Sequence, residues 1–233
     1  MSDYQPTVPG ERAEQMRAWH DEAYAALLQD AAGEPRTFDY LGRTLVVPPH
    51  VQPIAFYSDL LGTAVLDEVR ADDRVLDMGT GSGVNAVLAA GTSHDVVAVD
   101  VNPHAVEAAR ANAERNGVAE RVRVARSDVF SAVEGRFDLV VFDPPFRWFA
   151  PRDWAEAAIT DENYTALRTF FAQLRDHLTE RGRALVFFGT TADIGFLESL
   201  MDRHGFAREI VAARAHDKDG EQVEYRTYRL TQR

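Results

Sequence analysis

The chain has 233 residues, 45% hydrophobic and 27% charged, with a formal net charge of −12 and no cysteine. These figures describe an ordinary globular domain with a full core; they exclude disulfides and thiolate metal centres, and no metal site is expected. The acidic balance opposes the basic footprint on which nucleic-acid binding rests, and no apolar run approaches the ~18 residues of a membrane span.

The opening Met1-Ser2-Asp3-Tyr4-Gln5-Pro6 has neither the basic start nor the apolar centre of a secretory signal, so a cytoplasmic location is expected. From Glu11 to Ala32, apolar residues at Met16, Trp19, Ala23, Ala26, Leu27 and Leu28 recur at roughly helical spacing, and Gly33, Glu34 and Pro35 stop the pattern. Residues 1–36 therefore read as an N-terminal helical arm, either a cover for one side of the domain or a lid over its site. Phe38, Tyr40, Leu45 and Val47 predict two short strands around Leu41-Gly42. The loop with Pro48, Pro49 and Pro53 is stiff and carries His50. A helix is expected from Ile54 to about Val69, burying Phe56, Leu60, Leu61, Val65, Leu66 and Val69.

From Val75 onward, strands and helices alternate. Val75-Leu76-Asp77 is a strand ending in a carboxylate. Gly79, Gly81 and Gly83 form a turn, and a helix opens at Val84. Val96 to Asp100 is a second strand, with Asn102 as N-cap and Pro103 as first residue of a helix that Gly117 stops. Val122 to Ala125 and the unbroken apolar run Phe137 to Phe142 are the third and fourth strands. A helix from about Glu162 to Leu178, a strand Ala184 to Phe188 and a helix Ile194 to His204 follow. Strands Arg208 to Ala215 and Gln222 to Leu230 flank the hairpin signal Asp217-Lys218-Asp219-Gly220. The expected fold is α/β: a doubly wound, mostly parallel, seven-stranded sheet with a terminal antiparallel hairpin, spanning residues 37–233.

Three nucleotide ligands compete for the glycine turn. A phosphate-gripping loop needs a lysine after its last glycine, and the chain's one lysine, Lys218, lies far away. A dinucleotide fingerprint starting at Gly79 requires glycine or alanine where Val84 stands, and Asp77 would face the pyrophosphate. S-adenosylmethionine has no phosphates, and its ammonium, ribose diol and adenine suit carboxylates at Asp77, Asp100 and Asp128, with the Val129 amide facing a ring nitrogen.

Val75 to Gly83, Asp100, Ser127 to Val129 and Phe137 to Phe146 together resemble the class I S-adenosylmethionine-dependent methyltransferases, over roughly residues 37 to 233. Asp143-Pro144-Pro145-Phe146 resembles the signature of amino-methyltransferases that act on adenine, on guanine of ribosomal RNA or on a glutamine amide of release factors. The paired strands and proline-rich loop before the turn are similar to the release-factor and small-domain group. Asp143 stands where the glutamine-modifying enzymes carry asparagine, and the arm is shorter than their recognition domain; both features point away from a release factor. The resemblance implies a cofactor set of Asp77, Gly79, Thr80, Gly81, Gly83, Asp100, Val101, Asn102, Ser127, Asp128, Val129 and Asp143. It also implies a catalytic set of Asp143, Pro144, Pro145 and Phe146.

A carboxylate and a fixed carbonyl that accept the N–H hydrogens of a planar nitrogen would free its delocalised lone pair, and Phe146 would stack on the acceptor. Arg147, Trp148, Phe149 and Trp154 follow directly and suggest a substrate wall for an aromatic or anionic acceptor, with His50 as a further contact. The leading expectation is methylation of a planar nitrogen on a small metabolite or protein side chain. The alternatives are N-methylation of an RNA or DNA base, O- or C-methylation of a small molecule, and a non-catalytic cofactor-binding protein.

Overall fold

Two apolar faces on one sheet dictate the architecture: helices must cover both. The computed structural model describes residues 4–31 and 33–233, so Met1 to Asp3 of the opening segment and Ala32, the predicted end of the arm's helical pattern, lie outside it. Helix α1 (Gly10–Ala31) comes first, then a two-stranded antiparallel ribbon, β1 (Arg36–Tyr40) and β2 (Arg43–Val47). Next are α2 (Asp59–Glu68), β3 (Arg74–Met78), α3 (Val84–Ala89), β4 (Asp95–Asp100), α4 (Pro103–Arg115), β5 (Val122–Arg126) and β6 (Phe137–Phe142). The chain closes with α5 (Trp154–Ala157), α6 (Thr165–Leu174), β7 (Leu178–Gly189), α7 (Ile194–Arg203), β8 (Phe206–Lys218) and β9 (Glu221–Gln232).

The main sheet has seven strands in the order β5-β4-β3-β6-β7-β9-β8, parallel through β7, with β9 antiparallel to both neighbours. The strand order reverses between β3 and β6, and the crevice outside the carboxyl ends of such a pair is where open α/β sheets bind ligands. The buried residues fall into two large groups, one including Leu76, Val140 and Phe170 and the other Val75, Leu139 and Val87. Alternate residues of β3 and β6 thus feed opposite faces, as the period of two requires.

Several segments differ from expectation. The helix predicted from Ile54 starts only at Asp59: the Ser58 hydroxyl takes the Ala55 amide (3.0 Å), which holds residues 54–58 as a loop. Phe56, expected in the core, is 55% exposed, and Leu66 is also exposed. The helix predicted over 162–178 breaks at Asn163 and Tyr164, whose φ values of 55° and 49° interrupt it before α6. Strands β7, β8 and β9 run longer than their apolar patterns: pairing carries β8 and β9 past their last buried side chains, and β7 starts early at buried Leu178, paired with Phe137 ahead of a register shift between Phe137 and Leu139. The arm's stripe is used only in its first half: Met16 and Trp19 are buried with the residues of α2 and α3, whereas Leu28 is exposed.

Candidate active site

Strand register assembles the site. Met78 lies opposite Val99 on β4 and Phe142 on β6, so Gly79, Asp100 and Asp143 are the next residues on three adjacent strands. Together they border a cavity of about 760 Å³. Its floor is the glycine turn, Asp100 to Asn102, Ser127 to Val129 and Asp143 to Arg147. Its walls include residues 51–58, Tyr225 and His216, and Trp19, His20 and Ala23 of α1 lie across it.

The turn is held by its own hydrogen bonds. Asp77 is buried beneath it: one carboxylate oxygen accepts from the Thr80 hydroxyl (2.6 Å) and the Ala86 amide (3.0 Å). Asp77 thus braces the turn from below and does not line the cavity. Burial, opposed by those two donors, pushes its carboxyl up to about 7, with Asp100 adding to the rise. Gly83 adopts φ 82°, and a Cβ there would meet the Ala109 Cα at 2.8 Å, so this glycine lets α4 close against the turn. At Gly81 (φ 54°) a Cβ would enter open space on the cavity side. A side chain there would occupy volume that the fold leaves for a ligand.

Asp100 accepts the Gly81 amide (2.9 Å) and the Asn102 amide (2.8 Å), one on each oxygen, leaving further lone pairs toward the cavity. Burial raises its pKa and those amides oppose the rise. Asn102 caps α4 through the His104 amide and donates to the His50 carbonyl (2.8 Å). Val101 is 43% exposed, an apolar platform on the cavity floor. Ser127 is structural, its hydroxyl donating to the Val129 carbonyl (2.7 Å) and accepting the Ala132 amide. Asp128 is exposed to the cavity. Val129 is held at φ 47°, a costly conformation for a β-branched residue and the kind of strain that ligand sites retain.

Asp143 is exposed to the cavity, with protein packed densely behind it. Burial, with the charge of Asp77 behind it, pushes its carboxyl up to about 7. Pro144 and Pro145 hold the loop, and the Phe146 ring joins a stack with Tyr57 (6.4 Å) and Tyr225 (6.2 Å); those two tyrosines stack on each other at 4.2 Å. The Phe146 carbonyl accepts the Tyr164 hydroxyl (2.7 Å), which anchors the loop to α6.

Of the residues expected to face substrate, Arg147 and Trp154 line the cavity, whereas Trp148, Phe149 and His50 do not. Trp148 packs among Tyr4, Phe149 and Tyr164, and Phe149 is buried under the Arg17 guanidinium at 3.9 Å. Both are drawn inward, Trp148 by Tyr4 and Tyr164 and Phe149 by Arg17 and His20 of α1. His50 sits at φ 66° in a minor cleft with Pro48 and Pro49, its ring 5.3 Å from that of His104. The sequence reading missed Tyr57, Tyr225, Trp19 and His20. The run Pro53-Ile54-Ala55-Phe56-Tyr57-Ser58 did carry a signal, since its proline and serine disfavour a helical start there.

The donor set suits a ligand with hydroxyls and a positive charge: carboxylates at Asp100, Asp128 and Asp143, an apolar platform at Val101, and open space above Gly81. No lysine or arginine lines the glycine turn to grip a phosphate.

Comparison with known proteins agrees with this geometry. The family model described as "Methyltransferase small domain" matches residues 57–206. A ribosomal protein L11 methyltransferase of Pelotomaculum thermopropionicum is 54% identical over 74 residues, 31% of this chain and 24% of that protein. A ribosomal protein uL3 glutamine methyltransferase of Neisseria meningitidis serogroup A is 34% identical over 127 residues, 52% of this chain and 40% of that protein. The matches thus span well under half the length of these curated relatives. Among solved structures, the tRNA m1G37 methyltransferase of M. jannaschii superposes with a TM-score of 0.63 over 85% of this chain and 55% of that one, at 18% identity, a likeness of fold.

Proposed function

The chain belongs to the methyltransferase small domain family, a family of S-adenosylmethionine-dependent enzymes, and from that premise we propose that it methylates a planar nitrogen on a small molecule. The observation that carries this reading is the ionisable carboxylate of Asp143, beside the glycine turn and free of any cation within ion-pair reach among the described residues. In this reading Gly79, Gly81, Asp100, Val101 and Asp128 seat the cofactor, and Asp77 and Asn102 hold those residues in place. When bound, S-adenosylmethionine supplies an electrophilic methyl group on a sulfonium.

The chain's own contribution is positioning and proton handling. The Asp143 carboxylate and the Pro144 carbonyl accept the hydrogens of an acceptor N–H group, which localises the nitrogen lone pair toward the cofactor. A carboxyl raised to about 7 then takes the proton that the methylated nitrogen sheds. The stack of Phe146, Tyr57 and Tyr225 favours a flat acceptor.

A small acceptor fits because α1 crosses the cavity. The Trp19 indole donates to Asp219 at the β8–β9 tip (2.8 Å), Arg12 pairs with Glu221, and Tyr24 donates to Asp153 before α5 (2.6 Å). A second reading, methylation of a protein side chain, draws support from the names of the two curated relatives. The experiment that tests the proposal follows methyl transfer from labelled S-adenosylmethionine to a panel of small aromatic amines and to ribosomal protein. Turnover on the amines is expected; transfer to protein alone would favour the second reading, and transfer to neither would refute both.

A further inference from the structure

The cavity carries charges of both signs. Its glycine-turn end carries Asp100, Asp128 and Asp143; Arg147, whose electrostatic neighbours include none of these carboxylates, also lines the cavity, as do His216 and Lys218, the only lysine in the chain. Lys218 lies 3.8 Å from the Glu22 carboxylate, and the His216 ring packs on Phe56 at 4.7 Å. Arg147 differs from both. It is 8% exposed and lines the cavity, yet its Nε and Nη1 have no hydrogen-bond partner, and no carboxylate pairs with it among the described residues. Its electrostatic neighbours are Tyr57, Tyr164 and Tyr225, all neutral at pH 7, and another cation, Arg12. A buried charge without a counterion costs stability, and folds retain one where a ligand completes it. The guanidinium is a planar fork that matches a two-oxygen anion.

We propose that Arg147 is the anion-binding residue of the acceptor site, and that the methyl acceptor is a flat ring bearing a carboxylate or phosphate group. This rests on the methyltransferase reading above, with the cofactor at the glycine-turn end of the cavity. The ring lies against the Tyr57, Tyr225 and Phe146 stack, and the anionic group meets the guanidinium just beyond it. The acceptor nitrogen is thereby turned toward Asp143. One ligand thus satisfies both signs of charge in the cavity, and a neutral ring leaves Arg147 unpaired.

Calorimetry on the full chain, alone and saturated with S-adenosylhomocysteine, with benzoate, phenyl phosphate and benzamide as probes, tests this. At least one of the two anions is expected to bind roughly tenfold or more tighter than benzamide, and the better of the two identifies the group. Arg147→Gln should abolish the preference, and Arg147→Lys should keep part of it. Arg147→Met should also raise the thermal midpoint of the free protein, the reverse of what a structural arginine would give. Equal binding of benzamide, a preference that survives Arg147→Gln, or a lowered midpoint in Arg147→Met would overturn the proposal. So would weaker binding of S-adenosylhomocysteine, but not of 5′-methylthioadenosine, to Arg147→Gln, because Arg147 would then hold the cofactor's own carboxylate. Failure of the wild type to bind S-adenosylhomocysteine would instead strike the methyltransferase reading, while the probe comparison on the free protein is still read independently.

Discussion

Asp73 and Asp138, toward the amino ends of β3 and β6, are tied to Arg183 and Arg181 (2.9 Å each), whereas Asp77, Asp100 and Asp143, at the carboxyl ends of β3, β4 and β6, have no cation paired with them among the described residues. Burial alone would raise Asp138, but donors from Arg181, the Arg74 amide and Thr179 pull it down to about 2. Asp143 has no such donors and goes up to about 7. The folded chain therefore keeps a proton on Asp143 that the unfolded chain, at the ordinary 3.8, has lost. Stability contributed by that proton is complete below about pH 4 and is lost as pH rises through about 7. Asp143→Asn should accordingly be more stable than wild type above pH 7 and converge with it below pH 4 in urea melts. Its kcat should fall roughly 10²-fold or more, and the acidic limb of kcat/KM near pH 7 should vanish. The two glycines separate fold from site. Gly83→Ala strikes the Ala109 backbone and should cost about 1–3 kcal/mol in urea melts. Gly81→Ala costs only the roughly 1–2 kcal/mol of a left-handed alanine, but should weaken S-adenosylhomocysteine binding in calorimetry.

Among the elements, the parallel core was legible because each strand is a short apolar run ending in a carboxylate or turn, and α4 and α7 carry side-chain caps at Asn102 and Asp193. Asn102, Pro103 and Gly117 bound α4 as read, and the order of elements from Val75 follows from the alternation alone. What was not legible depends on partners distant in sequence. Trp148 and Phe149 look like a substrate wall until Tyr4 and α1 pack on them, and Phe56 looks like core until the Ser58–Ala55 bond delays the start of the helix. Arg147 was legible as a residue type, but its lack of a counterion is a property of the folded surroundings. The arm and the base of the sheet make separable predictions. Trp19→Phe keeps the buried ring but loses the bond to Asp219, so it should raise the KM of the acceptor and lower amide protection in α1. Its stability cost should be about 1 kcal/mol. Arg183→Met takes the 2.9 Å partner from buried Asp73, leaving it Arg181 at 3.6 Å, and one of the two arginines from Glu68, so it should cost about 3 kcal/mol in thermal melts. S-adenosylhomocysteine affinity should stay intact, since that network lies at the opposite edge of the sheet from the site.

For the whole molecule, the reversal of strand order between β3 and β6 makes the crevice, α1 crosses it, and the net charge of −12 disfavours long-range attraction of polyanions. Among the described residues no helix is long and apolar enough to cross a membrane. The family match and the carboxylates at the glycine-turn end of the cavity agree on one ligand there, a methionine-bearing nucleoside. Isothermal titration of the full chain with S-adenosylmethionine, and in parallel with NAD, measures that directly. Saturable one-to-one binding of S-adenosylmethionine, with none of NAD, is the expected result. Absence of S-adenosylmethionine binding at roughly millimolar concentration, or tighter binding of NAD, would contradict it.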